Sequence, residues 1–145
     1  MTLKRLGVVA LVVLAALPLH GENKPSEKYL PAILAVEPAD LKAKCVRAVL
    51  ALEKWQERLK VQNWDINLTC GPFERMPGAL GITEMNVATR GAHMWINILA
   101  DRDPEEIVIH ELLHLVTKGI DSERGEEQTV WMLGNLMYDA RGCTK

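Results

Sequence analysis

The sequence has no excess of positive charge, since 17 Lys and Arg residues are outnumbered by 19 Asp and Glu residues and the formal net charge is -2. No stretch of the chain gathers its Lys and Arg into a basic stripe. Sequence-independent binding to nucleic acid depends on such clusters, because they displace counterions from the phosphates. We therefore expect no nucleic-acid partner.

The sequence also lacks an apolar run of the roughly 20 residues that a membrane-spanning helix needs. The uncharged run at 6–19 is shorter; it follows Lys4 and Arg5 and precedes the polar stretch GENKPSEK. A positive start, a short apolar core and a polar exit are typical of a secretory signal peptide. We interpret residues 1–21 as a signal peptide, or alternatively as an uncleaved anchor, and expect an exported protein, periplasmic or secreted. No stable membrane span remains unless the leader is uncleaved.

Cysteine is scarce, and the three residues Cys45, Cys70 and Cys143 form no Cys-x-x-Cys motif. This spacing excludes the common cysteine motif of metal and redox sites. An exported protein with three cysteines is expected to form one disulfide. Three pairings are possible, and the sequence does not choose between them.

The 145 residues suffice for a single domain. Residues 22–37 combine prolines with scattered charge and are interpreted as a linker, which leaves 38–145 as the domain. Apolar residues between Leu41 and Leu59 recur at three- and four-residue steps. This period predicts a long amphipathic helix over about 39–60.

The hydrophobic period then changes to two, which predicts strands with one buried face each. The three strand candidates are WDINLTC at 64–70, LGITEMN at 80–86 and AHMWINIL at 92–99. Asp103 and Pro104 next predict a helix start, with Glu106 completing a capping box, and a last helix is expected over about 125–140. The order helix, three strands, helix, helix predicts an α+β fold with a three-stranded, mostly antiparallel sheet.

The stretch IVIHELLHLVTKG, at 107–119, contains the pattern HELLH. On a helix His110 and His114 lie about 40° apart and one turn along, so both can hold one ion. Glu111 does not complete the coordination but can reach a water on the metal, as a general base must. Apolar neighbours surround the motif, and buried histidines without a partner cost several kcal/mol. A metal ion is the partner that this pattern favours.

A catalytic zinc needs a third protein ligand besides the two histidines. A third histidine at position 120 is absent, since that residue is Ile. Gly134, seven residues after Glu127, lies on the same helix face, where a missing side chain would allow a close crossing over the HELLH helix. This favours Glu127, with Glu126 and Asp121 left as alternatives. The acidic candidates downstream of the motif are Asp121, Glu123, Glu126 and Glu127.

HELLH, the later EEQTVWMLG and the earlier LGITEMNVATRGAHMWINIL together resemble the small gluzincin-type zincin metallopeptidases. Minigluzincins, SprT-like domains and ImmA/IrrE-like domains belong to this group, and the resemblance covers roughly residues 62–140. It implies a zincin-like fold in which His110, His114 and Glu127 bind one Zn²⁺ ion and Glu111 is the catalytic general base. It also implies that strand 92–98 forms the sheet edge over the cleft, where an extended peptide pairs with it.

The chain departs from the gluzincin signature at Trp131, which stands four residues after Glu127 where the signature has an acidic residue. No histidine or tyrosine is assignable to oxyanion stabilisation: Tyr138 is interpreted as structural and His93 as exposed or packed, while Trp95 is a candidate cleft-lining residue. The function expected is that of an exported zinc-dependent metallopeptidase acting on a peptide or protein substrate through a metal-activated water. The alternative is a catalytically inactive zincin-like binding or sensor module that retains its zinc.

Overall fold

The structure is a computed structural model that describes residues 24–72, 77–118 and 123–140. These residues form four α-helices and a three-stranded sheet, so the expected α+β class is confirmed. After a short 3₁₀ turn at Glu27–Tyr29, the elements are α1 Leu30–Leu34, α2 Ala39–Arg58, β1 Asp65–Cys70, β2 Gly81–Asn86, β3 Gly91–Ile96, α3 Pro104–Thr117 and α4 Glu123–Ala140.

Helix α2 is the long amphipathic helix that the sequence predicts. Its apolar stripe is buried against the rest of the domain, and its opposite face carries charged side chains. The helix ends at Arg58, and two residues later Lys60 adopts a positive φ of 59°, a backbone conformation that does not continue a right-handed helix. The buried residues of α2 are Cys45, Val46, Ala48, Val49, Ala51, Leu52 and Trp55.

The sheet has the strand order β1-β3-β2, with β1 parallel and β2 antiparallel to the central strand β3. The expectation of a mostly antiparallel sheet was therefore wrong, because the sheet is mixed. Alternation of apolar and polar residues predicts which face of a strand is buried but not the direction of its neighbour. The 20 residues between Cys70 and Gly91 suffice for the crossover that a parallel pair needs, and β2 lies within them.

The same strand order corrects the expectation that strand 92–98 forms the sheet edge. This segment contains β3, which has a neighbour on each side, whereas β2 is an outer strand. The inward residues Ala92, Met94 and Ile96 of β3 are buried, as expected of a central strand with one face on the core. If a sheet edge borders a binding cleft on this side, that edge belongs to β2 rather than to β3.

The segment 22–37, interpreted as a linker, is part of the folded core over most of its described length. Tyr29, Ile33 and Val36 are buried in the main hydrophobic cluster. Tyr29 ends the 3₁₀ turn, Ile33 lies in α1 and Val36 follows α1, while Pro31 stands near the start of α1, where a missing N–H is tolerated. Pro31 therefore accompanies a helix start rather than a loose arm. The leader assigned to residues 1–21 lies outside the described residues.

Asp103, the residue that caps α3, connects three helices. Its Oδ1 accepts the backbone N–H of Glu105 at 3.0 Å, which is the N-cap bond that the sequence predicts. The same carboxylate accepts hydrogen bonds from Arg47 of α2 at 2.8 Å and from the Tyr138 hydroxyl of α4 at 2.8 Å. Glu106, expected to complete a capping box, forms an ion pair with Arg102 at 2.9 Å. These bonds fix where α3 begins relative to its two neighbours.

Cys45 and Cys70 form a disulfide that joins α2 to the end of β1. Of the three pairings left open by the sequence, this is the one that the fold selects, because burial of the α2 stripe brings Cys45 against the sheet. Cys143 lies outside the described residues. Within residues 24–72, 77–118 and 123–140, no helix combines the length and the apolar character needed to cross a membrane.

Replacing both Cys45 and Cys70 with Ala should lower the free energy of unfolding by about 3 to 4 kcal/mol, the chain-entropy value for a loop closed over 25 residues. Urea unfolding followed by circular dichroism measures this change. Dithiothreitol should destabilise the wild type by a similar amount and leave the double variant unaffected. Equal midpoints for the oxidised wild type and the variant would contradict the prediction.

Candidate metal-binding site

Helix α3 carries the HELLH motif through the interior of the domain. Its residues Ile107, Val108, Ile109, Leu112 and Leu113 are buried, so nearly every side of the helix contacts other protein. A helix that is apolar on all sides belongs in a core, and any polar side chain on it needs a partner there.

The two histidines of the motif face each other. His110 Nε2 and His114 Nε2 lie 3.3 Å apart, and the ring centroids are 5.0 Å apart with an interplanar angle of 76°. Side chains of His110, Glu111 and His114 offer ligand atoms that all lie within 4.8 Å of one another. This group can hold a metal ion.

Helix α4 brings two adjacent glutamates to the histidine pair. Glu127 Oε1 lies 3.2 Å from His114 Nε2, and Glu127 Oε2 lies 3.6 Å from His110 Nε2, so this carboxylate reaches both ring nitrogens that face each other. Glu126 Oε1 instead lies 3.0 Å from His114 Nδ1, on the far side of the ring. Asp121, the remaining alternative for the third ligand, lies outside the described residues.

The contact of α4 with α3 occurs at Gly134, as the sequence predicts. A Cβ built at Gly134 would lie 3.8 Å from Leu113 Cδ1 and 4.0 Å from the Cα of His110, which is ordinary van der Waals contact. The glycine therefore faces α3 directly, but an alanine would also fit, so the crossing does not require the missing side chain on which the sequence-based prediction rested. This crossing puts Glu127, seven residues earlier on α4, beside the histidines.

Glu111 is buried, with 3 % of its surface exposed, and it contacts strand β2. The Thr83 hydroxyl donates a hydrogen bond to Glu111 Oε2 at 2.7 Å. Burial raises the pKa of the Glu111 carboxyl to about 7, although the Thr83 hydrogen bond acts in the opposite direction. A carboxyl with this pKa is suited to exchange protons near neutral pH.

Gly81, two residues before Thr83, permits the close approach of β2 to Glu111. A Cβ at this position would lie 2.6 Å from Glu111 Oε1 and 2.7 Å from its Cγ, well inside van der Waals contact. The sequence G-I-T at 81–83 thus provides a space and a hydrogen-bond donor for one buried carboxylate. Gly81 and Thr83 belong to the predicted strand LGITEMN, but the sequence does not reveal their contact with Glu111, because this contact depends on the pairing of β2 with β3.

The His110 ring is held by packing. Burial, together with the smaller effect of the neighbouring His114, lowers the pKa of His110 to about 4, which keeps the imidazole neutral and able to bind a metal. The Trp131 ring of α4 packs against it with the centroids 4.5 Å apart. His110 Nδ1 is buried and has no hydrogen-bond partner among the described residues.

A cavity of about 490 Å³ opens over the histidines. One wall comes from β2 and the preceding loop, and the others come from α3 and α4. Arg102, which the sequence did not single out, lines the cavity together with Glu106. The lining residues are Ala79, Leu80, Gly81, Ile82, Thr83, Met85, Arg102, Glu106, Ile107, His110, Glu111, His114, Glu126, Glu127 and Trp131.

The expectation that Trp95 lines the cleft was wrong. Trp95 stacks on His93 with the ring centroids 3.8 Å apart, and His93 Nε2 lies 2.8 Å from the Thr69 hydroxyl. These side chains alternate with the buried residues Met94 and Ile96 and so lie on the opposite face of the sheet from the core. The exposed or packed role expected for His93 agrees with this position.

Replacing Gly81 with Ala should lower the free energy of unfolding by about 1 to 3 kcal/mol, because the added methyl group overlaps the buried Glu111 side chain. The matched control is Gly78→Ala, where a Cβ meets nothing within 4 Å and the change should stay within about 0.5 kcal/mol. Chemical denaturation of both variants measures the difference. Equal stability of the two variants would contradict the prediction, because the Glu111 side chain would then move aside without lowering the free energy of unfolding.

Comparisons with known proteins give no match to this chain among protein-family models, curated proteins or solved structures.

Proposed function

We propose that this protein is a zinc-dependent metallopeptidase that hydrolyses peptide bonds in an exported setting. The observation that carries the proposal is the convergence of His110 Nε2, His114 Nε2 and the Glu127 carboxylate, at separations of 3.2 to 3.6 Å, beside the buried carboxylate of Glu111. The resemblance of HELLH and the following helix to gluzincin-type peptidases supports the same assignment.

The donor set fits a zinc ion. Zinc binds imidazole nitrogen at about 2.0 to 2.1 Å in tetrahedral sites, so two ligand atoms on one ion lie about 3.3 Å apart. The two Nε2 atoms are 3.3 Å apart, and Glu127 Oε1 lies 3.2 Å from His114 Nε2. Two nitrogens and one carboxylate are a ligand set typical of catalytic zinc, which keeps one position open. His110, His114 and Glu127 are therefore the proposed ligands of one Zn²⁺ ion.

Glu111 is the proposed general base. When bound, zinc supplies a Lewis acid that polarises the scissile carbonyl and makes water a stronger acid at neutral pH. Glu111 takes a proton from the attacking water and passes it to the leaving amine. Oε1 is the oxygen proposed to carry this proton, since Oε2 accepts the Thr83 hydroxyl.

Strand β2 is the proposed docking edge for the substrate backbone. Among the described residues β2 pairs only with β3, so its second edge offers backbone N–H and C=O groups next to the cavity. An extended peptide can add to such an edge by main-chain hydrogen bonds. Ile82 and Thr83 of this strand line the cavity beside Glu111, so a peptide docked there would run past the proposed general base.

One observation favours the second candidate, a binding or sensor module that retains zinc without catalysis. The described side chains that line the cavity include no tyrosine and no histidine beyond His110 and His114, so neither of these residue types is available there for oxyanion stabilisation. A wild-type protein that binds zinc, cleaves no member of a peptide library and functions equally well as Glu111→Gln would select this alternative.

Replacing Glu111 with Gln should leave the zinc content unchanged and lower peptidase activity by about 10² to 10⁴-fold, because the base is removed while the ligands remain. His114→Ala should lose both zinc and activity. Metal analysis of the purified proteins and cleavage of a fluorogenic peptide library measure the two properties. Wild-type protein without stoichiometric zinc, or full cleavage by Glu111→Gln, would refute the proposal.

Replacing Thr83 with Val should lower kcat by about 10 to 100-fold, because Glu111 loses the hydrogen bond that orients it. Zinc content and KM should change little, since neither the metal ligands nor the cavity volume is altered. Thr83→Ser keeps the hydroxyl and serves as the matched control, with kcat near that of the wild type. A Val variant as active as the Ser variant would exclude a role for this hydroxyl.

A further inference from the structure

His114 is contacted on both ring nitrogens by adjacent residues of α4. Glu127 Oε1 lies 3.2 Å from Nε2, the nitrogen that faces His110, and Glu126 Oε1 lies 3.0 Å from Nδ1. The Thr117 hydroxyl lies 3.4 Å from the same Glu126 oxygen, so this carboxylate rests against α3. Glu126 is also the less exposed of the two glutamates, at 23 % against 47 % for Glu127.

The contact between Glu126 and Nδ1 determines which nitrogen of His114 carries the proton. Of the two carboxylate contacts of this ring, the one between Glu126 and Nδ1 has hydrogen-bond geometry, whereas Glu127 only lies near Nε2. A carboxylate only accepts hydrogen bonds, so Nδ1 is the donor. A neutral ring with its proton on Nδ1 has its lone pair on Nε2, which points toward His110 Nε2 at 3.3 Å. Glu126 thereby selects the form of His114 that can bind a metal at the shared centre.

His110 has no comparable partner. Its Nδ1 is buried without a hydrogen bond among the described residues, and its ring packs against Trp131 at 4.5 Å. Trp131 occupies the position four residues after Glu127, where the gluzincin signature has an acidic residue. In this chain, therefore, one histidine is oriented by aromatic packing and the other by a carboxylate.

We propose that Glu126 is a positioning residue, which holds His114 in the Nδ1–H form and so prepares its Nε2 for zinc. The proposal rests on the zinc site proposed above and assigns separate roles to two neighbouring glutamates, with Glu127 as the ligand and Glu126 as the support of a ligand. Carboxylates that accept from the second nitrogen of a ligating histidine fix its orientation and raise its basicity.

The first test is the zinc affinity of the full chain, measured by competition with a chromophoric chelator. Glu126→Ala should weaken binding by about 10 to 100-fold, as expected for loss of a residue that supports a ligand. Glu127→Ala should weaken it further, because a ligand itself is lost. Gln128→Ala changes the next, exposed position of α4 and should bind zinc like the wild type.

The second test reads the His114 ring directly by long-range ¹⁵N–¹H NMR of the metal-free protein. Nδ1 of His114 should be protonated in the wild type and should lose this preference in Glu126→Ala. Glu126→Gln keeps an acceptor oxygen and should restore the Nδ1–H signal, with zinc affinity reduced by about fivefold or less, since a neutral acceptor makes a weaker hydrogen bond. A residue needed only for stability would not produce this pattern.

Two results would overturn the proposal. Unchanged zinc affinity and an unchanged His114 ring in Glu126→Ala would remove the positioning role, and loss of zinc in Glu126→Ala with retention in Glu127→Ala would make Glu126 the ligand. Failure of the proposed peptidase function gives a different result. A protein that binds zinc but cleaves no peptide would still show the expected losses of zinc affinity in Glu126→Ala and Glu127→Ala. If the wild type binds no zinc, the NMR measurement still decides whether Glu126 orients His114.

Discussion

The site depends on the burial of α3, an apolar helix that carries three polar side chains through the interior of the domain. Each of them must find a partner there, because a buried polar group without one costs free energy. The surrounding elements supply partners with different chemistry: β2 gives Glu111 a hydroxyl, and α4 gives the histidines two carboxylates and an aromatic ring. His110 Nδ1 remains without a hydrogen bond among the described residues.

The position of α3 in turn depends on Asp103. This carboxylate caps the first turn and accepts hydrogen bonds from Arg47 of α2 and Tyr138 of α4, so the start of α3 is tied to both neighbouring helices. His110 and His114 follow Asp103 by seven and eleven residues on the same helix, so their positions depend on where that helix starts. Tyr138, which is not among the described residues that line the cavity, thus contributes to the site through the geometry of the helices rather than through its own chemistry.

Sequence patterns predicted the helices and strands of the domain well, but not how the strands pair. A two-residue period identifies the inward residues of a strand, here Ile66, Leu68, Ala92 and Met94, whichever way the strands run. It therefore predicts neither the parallel pairing of β1 with β3 nor the central position of β3. In one segment composition gave a wrong prediction. The prolines and charges of 22–37 indicated a linker, whereas Tyr29, Ile33 and Val36 are buried in the core.

By itself, the sequence determined the local features of the site: the four-residue spacing of His110 and His114, the neighbouring Glu111, and the Asp103 cap, all of which follow from helix geometry. Only the tertiary structure decided which elements meet that helix. The contacts of Thr83 with Glu111 and of Glu126 with the outer nitrogen of His114 join residues 28 and 12 positions apart, and the Cys45–Cys70 pairing spans 25. Such contacts depend on how strands and helices pack, which no local pattern encodes.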